Sequence, residues 1–399
     1  MAKAQAQKRK IEQVKRPAQT GQVSPSSPVI EGKWARERSF LGYDWLLVAG
    51  VILILAFGLL MLYSASSYTA LISFGSSVYY VRRQLFSTAV GLVLMIIVSF
   101  IPVNFWKYMS VVVYFFGIGL VCLVLTSLGV ESNGARRWLN LGGFSLQPAE
   151  VLKFALIIMM AFLLARYMEK VDNWKYYFFI FFVGLIPAGL VAVVTDDLGT
   201  AIIFFGMLFV MMFLCCRKYR YLFASVAVLF GAAAAFIMSE DYRKIRILAW
   251  IDIEDYADSN GYQIMQGLYA IGSGGIFGKG LGKSTQKLSF VPEAENDMIF
   301  SIICEELGLI GALILILMYV LILWRMKKIY DRTTDAFARL LVAGVASHIG
   351  IQAIVNMCVV TNLLPNTGVP LPFVSYGGTS TMILLAEIGL VLAVCRKKT

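Results

Sequence analysis

The chain has 399 residues, of which 59% are hydrophobic and only 15% charged, well below the quarter that is usual in soluble domains. That balance excludes a soluble globular enzyme. The net charge of +11 follows the pattern of a membrane-topology signal, so no nucleic-acid partner is expected.

Residues 1–42 are polar and carry nine cations (Lys3, Lys8, Arg9, Lys10, Lys15, Arg16, Lys33, Arg36 and Arg38) around "RPAQTGQVSPSSP". Such a segment has too little apolar surface to fold alone and reads as a disordered cytoplasmic tail. No apolar h-region precedes residue 43, so the first span is expected to act as its own insertion signal. Apolar runs near the length needed to cross a bilayer follow at roughly 44–66, 85–102, 106–128, 149–166, 176–195, 199–216, 221–238, 298–324, 339–361 and 376–395. They predict an all-α polytopic membrane protein of about ten transmembrane helices with both termini on one side.

The basic segments at 1–42, 103–107, 167–175, 217–220, 325–338 and the "RKKT" end belong in the cytoplasm by the positive-inside rule. Segments 67–84, 129–148, 239–297 and 362–375 are therefore outside. The cysteines, Cys122, Cys215, Cys216, Cys304, Cys358 and Cys395, lie in spans or at their cytoplasmic ends without metal-type spacing, and read as small apolar residues.

One outer loop, 239–297, is long enough to be functional. Its "RKIRILAWI" and "YQIMQGLYAI" read as short amphipathic helices lying in the interface, with Trp250, Tyr256, Tyr262 and Tyr269 at headgroup level. Its "IGSGGIFGKGLGKST" is no nucleotide loop, because GxxxxGK[ST] would need glycine where Phe277 stands. Its backbone N–H groups, with Lys279 and Lys283, could hold an anion such as a pyrophosphate, or the glycines could form a hinge. "PNTGVPLPFVSYGGTS" (365–380) cannot continue as helix, and at this depth irregular backbone suits a cavity wall or a rigid connection.

Ionisable groups inside a membrane protein are functional candidates or packing pairs. They are Glu150 and Lys153, which can pair at i and i+3, Asp196, Asp197, Glu305, Glu306, His348 and Glu387. Asp297, in "FVPEAENDMIF", differs by standing at the outer rim. A partly desolvated carboxylate there is a stronger proton acceptor, although an acid before a helix can also serve the helix dipole. His348 is the only histidine and falls within a span. A carboxylate is thus the expected agent of any acid–base chemistry on the outer face.

Together "NGARRWLNLGGFSLQPAEVLK" (133–153), "DLGTA" (197–201), the Gly-rich loop after "YQIMQ", "VPEAENDMIF", "EELGLIG" (305–311) and "GVPLPFVSYGGTS" resemble the SEDS family (FtsW, RodA and SpoVE) across all ten spans. The "GARRWLNLG" and "PEA" forms and the basic tail are most similar to its FtsW branch. The resemblance implies a 1–42 tail followed by a 43–399 transmembrane glycosyltransferase domain. It also implies a peptidoglycan glycosyltransferase that polymerises lipid II, the undecaprenyl-pyrophosphate-linked precursor, on the outer face of the bacterial cytoplasmic membrane, at the division septum.

Partners implied are lipid II, a class B penicillin-binding protein and other membrane proteins of the division complex. The family's essential aspartate falls on Asp297. Carried over as substrate-binding are Glu293, Arg136, Arg137, Trp138, Glu150, Lys153, Ser375, Gly377 and Gly378, and Lys279 and Lys283 join them as candidate pyrophosphate cations. No metal ligands are identified and no cofactor is demanded, though Mg2+ or Mn2+ could assist. Glu295 and Asn296 replace the family's usual His-Thr before the aspartate. A lipid-linked precursor flippase is the alternative, and it would need a comparable polar path to the cytoplasm. A non-catalytic scaffold would leave Asp297 without a role.

Overall fold

The computed structural model describes residues 42–396 except 133, 134, 141, 143, 144, 239 and 260. The expected tail lies, up to residue 41, outside the described residues. In chain order the helices are α1 (Trp45–Phe74), α2 (Tyr79–Phe100) and α3 (Val103–Leu123). Strands β1 (Gly129–Ser132), β2 (Ala135–Asn140) and β3 (Ser145–Leu146) come next. Then follow α4 (Pro148–Arg166), α5 (Trp174–Val194), α6 (Leu198–Cys215), α7 (Tyr219–Met238), α8 (Asp241–Ile251), α9 (Tyr262–Gly274), α10 (Ile299–Arg332), α11 (Ala336–Val360) and α12 (Gly378–Arg396).

Among the described residues, nine helices are long and apolar enough to span a membrane. They coincide with nine of the ten runs. The remaining run, 221–238, falls on α7. The two amphipathic segments of the outer loop form α8 and α9. A small antiparallel sheet, β1-β2-β3, is an addition to the helical expectation. Its strands are two to six residues long and carry a register shift between Val130 and Glu131, so no period-2 pattern announces them.

Helices α4, α11 and α12 are buried on nearly all sides, whereas α2, α3 and α5 present Phe86, Phe115, Phe116 and Phe182 outward. Lipid is as apolar as leucine, so close backbone approach and hydrogen bonds must supply the association. The α2–α12 crossing shows both. A Cβ on Gly389 would meet the Met95 carbonyl oxygen at 2.6 Å, and Gln84 Nε2 donates to Thr381 Oγ1 at 2.8 Å.

The outer segments meet at one end of the bundle. Arg137 in β2 donates to the carbonyls of Thr195 and Asp196 (3.1 and 2.8 Å). Trp250 Nε1 donates to Asn362 O (3.0 Å), Tyr376 N to Glu295 O (2.8 Å), and Thr379 Oγ1 to Ser145 O (3.0 Å). Asp44 and Arg325, on the basic side, pair at 2.7 Å.

Helix α10 is broken at Gly308, whose φ of +65° lies in the left-handed region. The Gly-rich loop fills the break. Lys279 N and Gly280 N donate to the carbonyls of Glu305 and Glu306 (both 2.9 Å), while Leu309 N donates to Gly275 O at 3.0 Å. Any side chain at 308 would strike Gly278 N and Ile276 O at 2.4 Å. This corrects the expectation of a free anion-holding loop or hinge, because its backbone donors complete the helix interrupted beside it.

Candidate active site

Asp297 sits in the turn preceding α10, where Asn296 N donates to Glu293 O at 2.9 Å and Glu293 takes a positive φ of 52°. It is 7% exposed. Its Oδ1 accepts from Gln263 Nε2 of α9 at 3.3 Å. Asn356 of α11 holds its backbone, with Nδ2 donating to Asp297 O (2.7 Å) and Val369 O (2.8 Å). Burial, with the negative charge of Glu293 and then of Glu295, pushes its carboxyl up to about 8 against the pull of the Met298 N–H. Among the described residues no Lys or Arg pairs with it. Glu295, half-buried beside the Tyr80 hydroxyl, is also raised, chiefly by burial.

Next to this turn opens a cavity of about 790 Å³. It is lined by Tyr79, Arg82, Arg83, Phe86 and Ser87 of α2, by Val130, Trp138 and Ser145 of the sheet, by Asn296, and by Tyr376, Gly377, Gly378 and Thr379. Phe86 is 66% exposed on the lipid-facing side, so the cavity has an apolar edge and a cationic mouth.

Of the residues singled out in the sequence, Trp138, Gly377 and Gly378 line this cavity. Ser375 lies beneath it, its Oγ accepting from Leu371 N at 2.8 Å. Glu293 accepts from Asn296 Nδ2 at 3.0 Å. Arg136 is exposed and 3.8 Å from Glu131, and Arg137 straps the sheet to the α5–α6 turn.

Glu150 and Lys153 form a buried pair at 2.8 Å. Lys153 Nζ also donates to Gln352 Oε1 at 2.9 Å, and His348 Nε2 lies 2.9 Å from the same oxygen. His348 Nδ1 in turn faces Glu387 Oε2 at 2.8 Å, and Gln352 Nε2 donates to Pro370 O at 3.0 Å. His348, Gln352 and Asn356 thus make a polar stripe along α11 that ends under Asp297.

Lys279 and Lys283 do not line the cavity. The Gly-rich loop does cradle an anion, but it is the chain's own Glu305. That carboxylate accepts from Lys279 Nζ (2.6 Å), Thr285 N (3.1 Å) and Thr285 Oγ1 (3.0 Å), and from Ser284 Oγ. Glu306 is held likewise by Lys287 Nζ and Ser64 Oγ, each at 2.7 Å.

The cations that do reach the cavity, Arg82 and Arg83, come from the outer segment 67–84 and were not among the candidate site residues. Two adjacent arginines in an outer segment oppose the positive-inside bias, and that was their signal. Gln263 and Asn356 carried a weaker one: each is one of two amides in a helix that is otherwise largely apolar. Among the described residues no three His, Cys, Asp or Glu side chains converge as a metal cluster. A divalent ion here would take most of its ligands from substrate oxygens and water.

Comparison with known proteins gives consistent matches. The cell cycle protein family model FTSW_RODA_SPOVE covers residues 44–399. A probable peptidoglycan glycosyltransferase FtsW of Geobacter metallireducens is 36% identical over 353 residues, covering 88% of this chain and 94% of the relative. Stage V sporulation protein E of Bacillus subtilis is 35% identical over 360 residues, covering 88% and 97%. A chain of a peptidoglycan synthase complex that coordinates polymerization and crosslinking superposes with a TM-score of 0.76 at 28% identity, covering 90% of this chain and 99% of that one. The rod shape determining protein RodA of Thermus thermophilus gives 0.65 at 30%, covering 90% and 98%. With its polytopic helical architecture and these matches over nearly the whole bundle, the chain is a multi-pass membrane protein that belongs to the FtsW/RodA/SpoVE family.

Proposed function

We propose that this protein is a peptidoglycan glycosyltransferase that polymerises lipid II on the outer face of the cytoplasmic membrane, with Asp297 as the general base. The observation that carries the reading is a buried carboxylate that pairs with no cation among the described residues, raised to about 8, beside a cavity that joins two arginines to a lipid-facing edge. The activity in the names of the FtsW relatives supports the reaction class.

In the proposed step the acceptor sugar's 4-hydroxyl oxygen bonds to the anomeric carbon of the growing strand. The bond from that carbon to the lipid pyrophosphate breaks, and the hydroxyl proton passes to Asp297. Pyrophosphate is a weak base and leaves without a general acid, unlike the leaving groups of glycosidases. Its charge develops where Arg82 and Arg83 can meet it, a role that electrostatics assigns to preplaced cations. An α-linked donor then gives a β linkage with inversion. Trp138, Gly377 and Gly378 bound the same space, while Glu150 and Lys153 support the bundle from within.

A partner that crosslinks the strands, of the class B penicillin-binding type, is supported by the synthase complex to which the fold is similar. Septal use follows the FtsW branch, in division or in sporulation. A flippase would need polar groups aimed at the cytoplasm, whereas the ionisable groups Glu150, Lys153, His348 and Glu387 hold one another. The test is purified protein with its crosslinking partner and labelled lipid II. Glycan ladders from wild type that vanish in Asp297→Ala are expected. Ladders that persist unchanged would remove Asp297 from the chemistry, and none from wild type with an active partner would favour transport.

A further inference from the structure

A second, smaller cavity of about 210 Å³ opens between α8, the start of α9 and the 362–366 segment, and one of its wall residues, Gln263, reaches Asp297. Its polar lining comprises Arg246, Trp250, Ser259, Gln263, Asn362 and Asn366. Amide side chains beside an indole are partners suited to a sugar ring. Amides exchange hydrogen bonds with hydroxyls in either sense, and the aromatic body covers a C–H face. The wall is braced, with Trp250 Nε1 on Asn362 O at 3.0 Å and Asn366 Nδ2 on Gln263 Oε1 at 2.8 Å.

Gln263 belongs to this wall and also donates to Asp297 Oδ1. Gly368, whose N donates to Asn366 Oδ1 at 3.3 Å, takes a φ of +65°. A Cβ there would lie 3.7 Å from Asp297 Oδ2, so glycine leaves that oxygen's flank open.

A reaction that joins two lipid-linked sugars needs two subsites of different chemistry around one base. The donor brings a leaving pyrophosphate and calls for cations, which the larger cavity offers in Arg82 and Arg83. The acceptor's reacting group is an uncharged hydroxyl and calls for hydrogen-bonding partners within reach of the base, which the amides Gln263, Asn362 and Asn366 beside Trp250 and Arg246 supply. We infer that the small cavity seats the terminal sugar of the acceptor, an assignment that rests on the proposed polymerase reading. Gln263 then orients Asp297 toward that sugar while forming part of its seat.

The test uses full-length protein in Asp297→Asn form, which cannot turn over. The probe is a lipid-free disaccharide-peptide that has the acceptor sugar but no pyrophosphate. Binding by the Asp297→Asn protein is expected, with a loss of tenfold or more when Ser259→Trp fills the cavity from its exposed rim or when Asn366→Ala removes the brace. Binding of the sugar-free lipid pyrophosphate, the leaving group of the donor, should survive both changes, which also reports that the protein is folded. In the otherwise native chain, Ser259→Trp should lower glycan ladder formation at least tenfold. Undiminished probe binding with undiminished ladders in Ser259→Trp would overturn the acceptor seat and leave the polymerase reading standing. Absence of ladders from wild type with active partner would overturn the polymerase reading, and the seat with it.

Discussion

Two groups of carboxylates lie close together in the sequence around the start of α10 and meet opposite environments. Glu305 and Glu306 are fully buried, and each is matched by a lysine, Lys279 from the Gly-rich loop and Lys287 just after it, and by hydroxyl donors. Asp297 is nearly as buried, yet among the described residues it has no paired cation, and its nearest charges, Glu293 and Glu295, are of its own sign. A carboxylate enclosed by a lysine and hydroxyl donors has its charge matched on the spot and serves packing. One enclosed without them is driven toward protonation, and it can exchange a proton near neutral pH. Only the second arrangement suits a base.

The sharpest way to break this contrast is to neutralise Asp297. Asp297→Asn should lower polymerisation by about 10²–10⁴-fold, the usual worth of a general base, while labelled lipid II still binds. If binding disappears along with activity, Asp297 holds substrate and the contrast has been misread. The opposite group answers to a stability measurement. Lys287→Met leaves Glu306 buried without its cation and should destabilise the protein by about 3–5 kcal/mol, read as a lowered thermal midpoint in detergent. Adding Glu306→Gln should restore much of that loss. An unchanged midpoint in Lys287→Met would show that the pair does no structural work.

The contrast also marks what could be read from sequence. The spans were legible because each is a continuous apolar run, and α8 and α9 because their apolar residues recur at helical spacing. Asp297 was reachable by its place at the rim and by resemblance. The cradle around Glu305 was not, because Lys279, Ser284 and Thr285 reach it only once the glycines fold into the break at Gly308. Arg82 and Arg83 share a cavity with Trp138 and Tyr376 across long stretches of chain, and only the folding of α2, the sheet and the segment before α12 around one space brings them together. Asn356 lies 59 residues from the carbonyl it holds. Asn356→Leu would leave the carbonyls of Asp297 and Val369 without that donor, at about 1–3 kcal/mol for each group left unsatisfied. It should reduce kcat by roughly tenfold with KM nearly unchanged. A rise in KM alone would make Asn356 part of substrate binding.

The smallest effect concerns the like charges themselves. A base whose carboxyl sits at about 8 is roughly one-tenth ionised at pH 7, so the rate should rise with pH and level off above about 8. Burial is the leading cause of that shift and Glu293 the largest charge contribution to it. Removing the charge in Glu293→Gln keeps an oxygen for Asn296 but favours the ionised Asp297, which lowers its pKa. The rising limb should therefore move to lower pH, making the variant at most a few-fold faster at pH 7 and equal to wild type on the plateau. A limb that stays in place would mean that burial alone sets the base, and that Glu293 acts through the turn it shapes. A limb moving to higher pH would contradict the like-charge account outright.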